Sequence, residues 1–494
     1  FGIKPIFYTR IGNAFAFASE LKTLTALPGF EKKLNFDTVL AAINYLWVPG
    51  NESMFTGCFK LPPAHYAIID TRDQKLRTQI RQYWKLDTTV RYKEEIQTTT
   101  LLRETVESSV KRHMIADVPV STFLSGGLDS SLISAIASKV NPKLSSYTIG
   151  TTEEDKKVER MPEDEKYALL IAKLFNLDHH EIIIKPDILK ELPAMVHTLD
   201  EPIGDPAAIN TFLICKAARE RGVKVLLSGM GADEILFGYR RHKATLMGAR
   251  YRRLPGFMKS VIGSAVNMLP VRIFGHGFKL SRWGKRFLSF AELSEEESYM
   301  RSYSYYDQAE LKQLFRHDIT QSYSNLRSRH AELFSSAYPN DTINQICHTD
   351  ISMFMLGLNL TYTDRASMAA SVEVRVPFID KTVVQTAMQI SGDLKYKNGE
   401  SKYILKKVAE AFLPQKVIYR PKASFGVPLR SWIGKDLKPL VDDLLSEANI
   451  TKRGIFNPSF VKTMVDNDRK GTEDNAYRIY QLLTFEIWCR KFMD

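Results

Sequence analysis

The chain has 494 residues, 44% hydrophobic and 25% charged, an ordinary globular balance that excludes wholesale disorder and leaves no apolar run near the ~20 residues of a membrane span. At about 100–200 residues per domain, that length suits two to four domains. The 68 Lys+Arg against 56 Asp+Glu give a net charge of +12, yet Arg240 to Arg286 alone holds 12 basic residues and no acid, and outside it 56 face 56.

Residues 1–70 alternate short apolar runs with turn residues, as in a β-rich or mixed layer, and FGIKPIFYT reads as a strand already under way at a cut end. The polar stretch Thr71 to Glu95 reads as a connector, and Lys93 to His113 as a helix with Ile96, Leu101, Leu102, Val106 and Val110 on one stripe. A βα alternation follows. Strands are expected at 118–124, 145–150, 180–185 and 223–227, and helices at 128–139, 163–175, 187–199 and 209–220. Strands spaced by helices of this length imply a parallel, doubly wound α/β sheet. Beyond Tyr239 the pattern is mostly helical. Cys58, Cys215, Cys347 and Cys489 are far apart and form no C-x-x-C pair, which argues against disulfides or zinc and fits a reducing, cytoplasmic setting.

Ser125-Gly126-Gly127-Leu128-Asp129-Ser130-Ser131 directly follows an expected strand and opens a helix. Two glycines let the backbone turn its N–H groups toward an anion, and the helix N-terminus adds positive partial charge. Asp129 would repel bare phosphate, so it suggests a bridging Mg²⁺. The same residues also read as a strand–turn–helix junction with Ser and Asp caps. Ser228-Gly229-Met230-Gly231-Ala232-Asp233-Glu234 repeats the placement after the strand 223–227. Two such loops at the carboxyl ends of strands make one cleft with Asp129 and Asp233 as metal-ligand candidates. Asp233 and Glu234 also read simply as first-turn carboxylates favoured by the helix dipole.

Ser125–Ser131 resembles the pyrophosphate loop of the N-type ATP pyrophosphatases. With the segments 199–206, 228–234, 364–368, 374–380, 401–403 and 420–426 in order, the chain resembles the glutamine-dependent asparagine synthetase family. That resemblance implies an adenine-nucleotide α-hydrolase sheet at 89–440 with a basic helical insert at 240–290. It implies a terminal helical segment at 441–494. Residues 1–88 would be the C-terminal portion of an Ntn-type glutaminase domain. The implied chemistry is adenylation of the aspartate side-chain carboxylate by ATP with Mg²⁺, followed by transfer of ammonia. By resemblance, Ser125, Gly126, Gly127, Ser130 and Ser131 hold pyrophosphate, and Asp129 and Asp233 hold Mg²⁺. Phe123, Ile149, Ser228 and Gly229 meet the nucleotide. Lys422 lies by the α-phosphate, with Lys402 as a second phosphate candidate. Asp364, Arg365 and Arg375 bind the amino acid's charged ends or form a structural ion pair.

Two departures stand out. The family usually carries an acid at Met230, so either Glu234 or water substitutes there, or the acceptor is another carboxylate such as a sugar acid in surface-polysaccharide synthesis. The family's nucleophilic cysteine would precede Phe1, so the chain as given is expected to use free ammonia, and Cys58 reads as core. Two other classes compete. A tRNA-modifying ATP pyrophosphatase would use the basic segment and its aromatics for RNA, but the segment lacks any RNA-module signature. A non-catalytic scaffold would not need the intact SGGLDSS loop. The expected partners are therefore small molecules and not nucleic acid, with a homodimer implied by the family. The stretch 240–290 leaves open a contact with an anionic membrane or a protein.

Overall fold

The computed structural model describes residues 1–72, 76–150, 164–183, 186–269, 272–273, 276–277, 279–421 and 427–494. In the N-terminal layer β1 (Phe7–Ile11) pairs antiparallel with β2 (Ala14–Ala18) and β3 (Cys58–Lys60), and Phe7 stands opposite both Ala18 and Lys60. The helix Phe36–Tyr45 starts at Asn35, whose side chain accepts from Thr38 N, and buries every residue from Thr38 onward. Cys58 is buried, as its core reading requires.

One expectation is corrected here. The stretch after Thr71 is not merely a connector: β5 (Arg77–Gln82) forms a hairpin with β4 (His65–Asp70), His65 opposite Gln82. All six β5 residues are exposed, so no apolar alternation marked them; the backbone ladder to β4 holds the strand.

The central sheet is wholly parallel. β6 (Val120–Phe123) is flanked by β7 (Ser145–Gly150) and then β8 (Asp178–Ile183) on one side. On the other side lies β9 (Val225–Leu227). A two-residue ladder, β10 (Arg272–Ile273) with β11 (His276–Gly277), sits apart in the basic segment. The outer edge is β12 (Glu373–Arg375), parallel to β9 with Glu373 opposite Val225. This three-residue strand was not expected from the sequence, being too short to show a period. The chain builds outward from β6 to β8, then returns to place β9 on β6's other edge. That reversal opens a crevice at the carboxyl ends of β6 and β9.

Helices cover both faces of this sheet and make up the rest of the chain. Thr342–Thr349 continues through a π-helical stretch, Asp350–Leu360, into the helix Thr361–Ala369. The helix Ala476–Phe492 is buried almost all round, as expected of a helix without a polar face. Its Gln481 donates to Ala42 O (2.8 Å) and Pro202 O (3.0 Å), and Trp488 Nε1 donates to Asp200 O (2.7 Å). It thereby joins the N-terminal layer to the loop before Ala207–Glu220. Truncating the fully buried Trp488 would cost about 3–5 kcal/mol. All four cysteines are buried and free.

Several cations of the 240–286 segment are engaged within the fold. Arg241 bonds Asp350 (2.9 Å), Arg282 reaches Asp474 (3.4 Å), and Arg252 donates to Leu293 O (2.6 Å). Arg286 donates to the carbonyls of Ser302 and Ser304, and burial followed by the nearby Arg301 lowers its pKa to about 10. The segment answers acids and carbonyls elsewhere in the fold, because long basic side chains bury their stems and reach out with their charged ends.

Candidate active site

A cleft of about 700 Å³ opens where β6, β7 and β9 end, lined by both glycine loops. Gly126 has φ +65°, and a Cβ there would lie 2.6 Å from Ala168 N and 2.8 Å from Asp164 O, so backbone on two sides demands glycine. Beyond it the loop holds its own shape. Ser125 N donates to Ser130 Oγ (3.1 Å), and the two hydroxyls meet at 3.0 Å. Ser131 Oγ, fully buried beneath the loop, finds no hydrogen-bond partner among the described residues. Ser125, Gly127, Asp129 and Ser130 line the cleft, and Gly126 and Ser131 support it from behind.

The second loop presses on the first. A Cβ on Gly229 would stand 2.7 Å from Ser130 N and 2.8 Å from Asp129 C. Gly231 turns the chain with φ +98° into the short helix Ala232–Ile235, which carries Asp233 and Glu234. Between the loops lies a single ammonium. Lys402 Nζ is 2.6 Å from Asp129 Oδ2 and 2.6 Å from Asp233 Oδ1. Lys402 is buried and holds φ 53°, as the residue that opens the helix Tyr403–Ala409. Burial alone would lower its pKa, but the Asp129 and Asp233 carboxylates raise it, so the charge is fixed.

Glu234 forms the floor of the cleft. It accepts from Tyr239 Oη (2.8 Å) and Asn359 Nδ2 (2.5 Å), and Asn359 also donates to Tyr239 Oη (3.1 Å). Burial, with repulsion from Asp233 and Asp350, pushes its carboxyl up to about 7. Behind it Arg241 and His242 close on Asp350, with His242 Nε2 at 2.7 Å. Burial opposes ionisation of Asp350, yet Arg241 and His242 hold its pKa below the usual range. Phe123 and Ile149 line the apolar end, beside Tyr147 and Ile214, and Ser228 and Gly229 border it.

The cleft thus collects Phe123, Ser125, Gly127, Asp129, Ser130, Ile149, Ser228, Gly229, Asp233, Glu234 and Lys402. Asp364, Arg365 and Arg375 do not line the cleft, and each makes an ion pair, the structural alternative read for them from the sequence. Asp364 pairs with Lys4. Arg365 donates to Ser19 O and lies 3.3 Å from the fully buried Asp200 carboxylate. Helical phase explains this: Tyr362 and Thr363 face the cleft, and the next two residues turn toward the N-terminal layer. Arg375, on the edge strand β12, donates to His113 O (2.7 Å) and Ile115 O (2.8 Å) and pairs with Glu373. Lys422 lies outside the described residues. Its neighbour Arg420 lines the cleft, 2.7 Å from Asp164 and over the Tyr167 ring.

Sequence reasoning missed Tyr239, Asn359 and Arg420. Arg420 stands in the same motif as Lys422, which was the available sign. Asn359 reaches Glu234 only through tertiary folding, 125 residues along the chain.

The chain is 29% identical over 497 residues to "Asparagine synthetase [glutamine-hydrolyzing] 1" of Bacillus subtilis (strain 168), covering 99% of this chain and 74% of that protein. It is 29% identical over 516 residues to "Putative asparagine synthetase [glutamine-hydrolyzing]" of Mycobacterium tuberculosis (strain ATCC 25618 / H37Rv), covering 100% of this chain and 74% of that protein. It is 23% identical over 527 residues to "Amidase chry2" of Gibberella zeae (strain ATCC MYA-4620 / CBS 123657 / FGSC 9075 / NRRL 31084 / PH-1), covering 100% of this chain and 76% of that protein. Residues 1–84 match the glutamine amidotransferase domain. With residues 101–490, which carry the whole cleft, matching asparagine synthase, the chain belongs to the asparagine synthase family.

Proposed function

We propose that the protein is an ATP-dependent carbon–nitrogen ligase that turns aspartate, ATP and ammonia into asparagine, AMP and pyrophosphate, with glutamine as ammonia donor. The observation that carries this reading is the pair of glycine-turned loops at the sheet's switch point, their carboxylates converging on Lys402. The names of the B. subtilis and M. tuberculosis relatives supply the acceptor and the donor. We read the sheet as the ATP-pyrophosphatase type, residues 1–88 as part of a glutaminase domain, 89–440 as the synthetase domain and 441–494 as its last helical segment. The setting we assign is the cytoplasm; among the described residues no helix is long and apolar enough to cross a membrane.

In this reading adenosine lies against Phe123 and Ile149, bordered by Ser228 and Gly229. The N–H and O–H groups of Ser125, Gly127 and Ser130 receive the leaving phosphates, with Gly126 and Ser131 shaping the loop behind them. Mg²⁺ commonly takes one or two protein carboxylates and completes its shell with phosphate oxygens and water. Asp129 and Asp233 fit that demand, since they already converge on one cation, and among the described residues no group of three or more His, Cys, Asp or Glu forms a closed metal cage. Bound there with ATP, the ion would offset negative charge on pyrophosphate.

An aspartate carboxylate oxygen attacks the α-phosphorus, the bond to the bridging oxygen breaks, and pyrophosphate leaves with the electron pair. Lys402 keeps Asp129 and Asp233 aligned and adds positive charge on the phosphate side, with Lys422 assigned to the α-phosphate. Ammonia then attacks the acyl carbon and AMP departs. Glu234, half-ionised near pH 7, accepts the proton from nitrogen, a task Met230 has no group to perform.

Pyrophosphate release from Mg-ATP, measured with ammonia across a panel of carboxylic acids, tests the reading. Aspartate-dependent release matched by asparagine is the expected result. Release with another acid alone would overturn the acceptor, and release with none would overturn the ligase.

A further inference from the structure

The helix Gly256–Met268 buries none of its residues, although it is among the more apolar helices of the chain. Its half-buried positions are Lys259, Ile262, Gly263 and Val266, which form one face. Val266 abuts the helix Lys279–Leu288 so closely that a Cβ on Gly284 would meet it at 2.9 Å. The opposite face carries Phe257, Val261, Ala265 and Met268 with Ser260, Ser264 and Asn267. Phe257 is 71%, Val261 67% and Met268 85% exposed. No charged residue interrupts this outer face, because the helix's one ionic residue, Lys259, turns inward to Glu292 (3.7 Å). Leaving such a stripe in water costs free energy in proportion to its apolar area, and burying it would recover that cost.

The surroundings of the stripe are basic. Arg250 and Arg253, one turn before the helix, are exposed, and no carboxylate among the described residues pairs with either. Lys243 is exposed and donates to the Gly399 carbonyl (3.1 Å). Trp283, 52% exposed, carries the Arg240 guanidinium 4.6 Å over its ring. From Arg240 to Arg286 the sequence holds no acid, although Arg241, Arg252, Lys259 and Arg282 meet carboxylates from outside the segment. An outer face without charge, carrying Phe257, Val261 and Met268 and preceded in the chain by the exposed Arg250 and Arg253, suits a helix that lies in the headgroup layer of an anionic bilayer. Phe257 is the one ring on this outer face, and a single ring offers no row of platforms on which successive bases could stack, which disfavours RNA as the occupant.

We infer that the helix Gly256–Met268, with Arg250 and Arg253 beside it, is a docking surface for an anionic lipid bilayer. The apolar face supplies the insertion, and the cations supply the preference for negative headgroups. The surface lies outside the cleft, so docking would bring the enzyme to a membrane without engaging its catalytic groups.

Co-sedimentation of the whole protein with phosphatidylcholine vesicles, with and without phosphatidylglycerol, at low and high salt, tests this. Binding is expected only to the anionic vesicles at low salt. The triple variant Phe257→Ser, Val261→Ser, Met268→Ser and the double variant Arg250→Glu, Arg253→Glu are each expected to bind at least about tenfold less. Both change exposed side chains, so unchanged melting and pyrophosphate release should show that they fold. No binding to anionic vesicles at low salt would overturn the inference, as would undiminished binding by the triple variant. So would tighter capture of a single-stranded oligoribonucleotide that anionic vesicles fail to displace.

Discussion

Asp129 and Asp233 sit on loops from neighbouring strands, 104 positions apart in the sequence, yet both close on Lys402 Nζ at 2.6 Å. The ammonium is what lets two carboxylates share this space before any metal or nucleotide arrives. Replacing it therefore acts on the empty enzyme as well as on the reaction.

Lys402→Met should leave the Asp129 and Asp233 carboxylates repelling each other at a largely buried site. A loss of about 3–5 kcal/mol in stability is expected from breaking such a pair. Added Mg²⁺ should restore part of it, because a divalent ion can stand where the ammonium stood. Thermal melts with and without Mg²⁺ would show this; equal destabilisation in both would count against the two carboxylates as metal ligands.

Glu234→Gln should lower amide formation by about 10²-fold while adenylation persists, since only the second step needs the base. In the wild type, amide formation at a fixed concentration of free NH3 should rise as pH passes about 7, the value to which burial raises Glu234. The stability effect has the opposite sign. A carboxyl raised from 4.5 to about 7 holds its proton longer in the folded state, so its contribution is full below pH 4.5 and is lost as pH rises through 7. The Gln variant should therefore melt higher than wild type above neutral pH. Partitioning of pyrophosphate against amide product, with melts across pH, would read both effects.

Gly229→Ala should raise the apparent KM for ATP about tenfold or more, because the new methyl would meet Ser130 N at 2.7 Å and backbone cannot swing aside. Pyrophosphate release against ATP concentration measures it. A wild-type KM would mean that the two loops can part without consequence.

Arg365→Ala should cost about 1.5–3 kcal/mol of stability by removing one of two cations from Asp200, Lys22 remaining at 2.8 Å, with KM for the amino acid unchanged. Denaturant unfolding alongside steady-state kinetics separates the two. A large rise in that KM without destabilisation would restore Arg365 to the substrate site.

What the sequence disclosed follows from the range of the forces involved. β6 to β9 and their intervening helices were legible because apolar alternation and helical spacing are local. Gly126 and Gly229 were legible because a backbone that must turn or approach closely admits few residues. β5 escaped notice because it is exposed on every residue, and β12 because three residues carry no period. Lys402 was foreseen as a phosphate contact, but its clamp on Asp129 and Asp233 depends on three distant segments meeting. The same holds for Asn359 on Glu234. For Asp364 and Arg365 the sequence left two readings open, because their place beside cleft-facing Tyr362 and Thr363 does not reveal the third of a helical turn that sets them on the layer interface, paired with Lys4 and Asp200.

The Trp488 bond to Asp200 O spans 288 residues, and Gln481 reaches Ala42 across 439. During synthesis the sheet from β6 to β12 can assemble while the slot for Ala476–Phe492 still stands open. At about 5–20 residues per second, the loop at Asp200 waits on the order of 14–60 seconds for its partner. Over that interval the nascent chain shows the slot's apolar walls to the ribosome's surroundings, and chaperone holding rather than intrinsic stability would govern its yield.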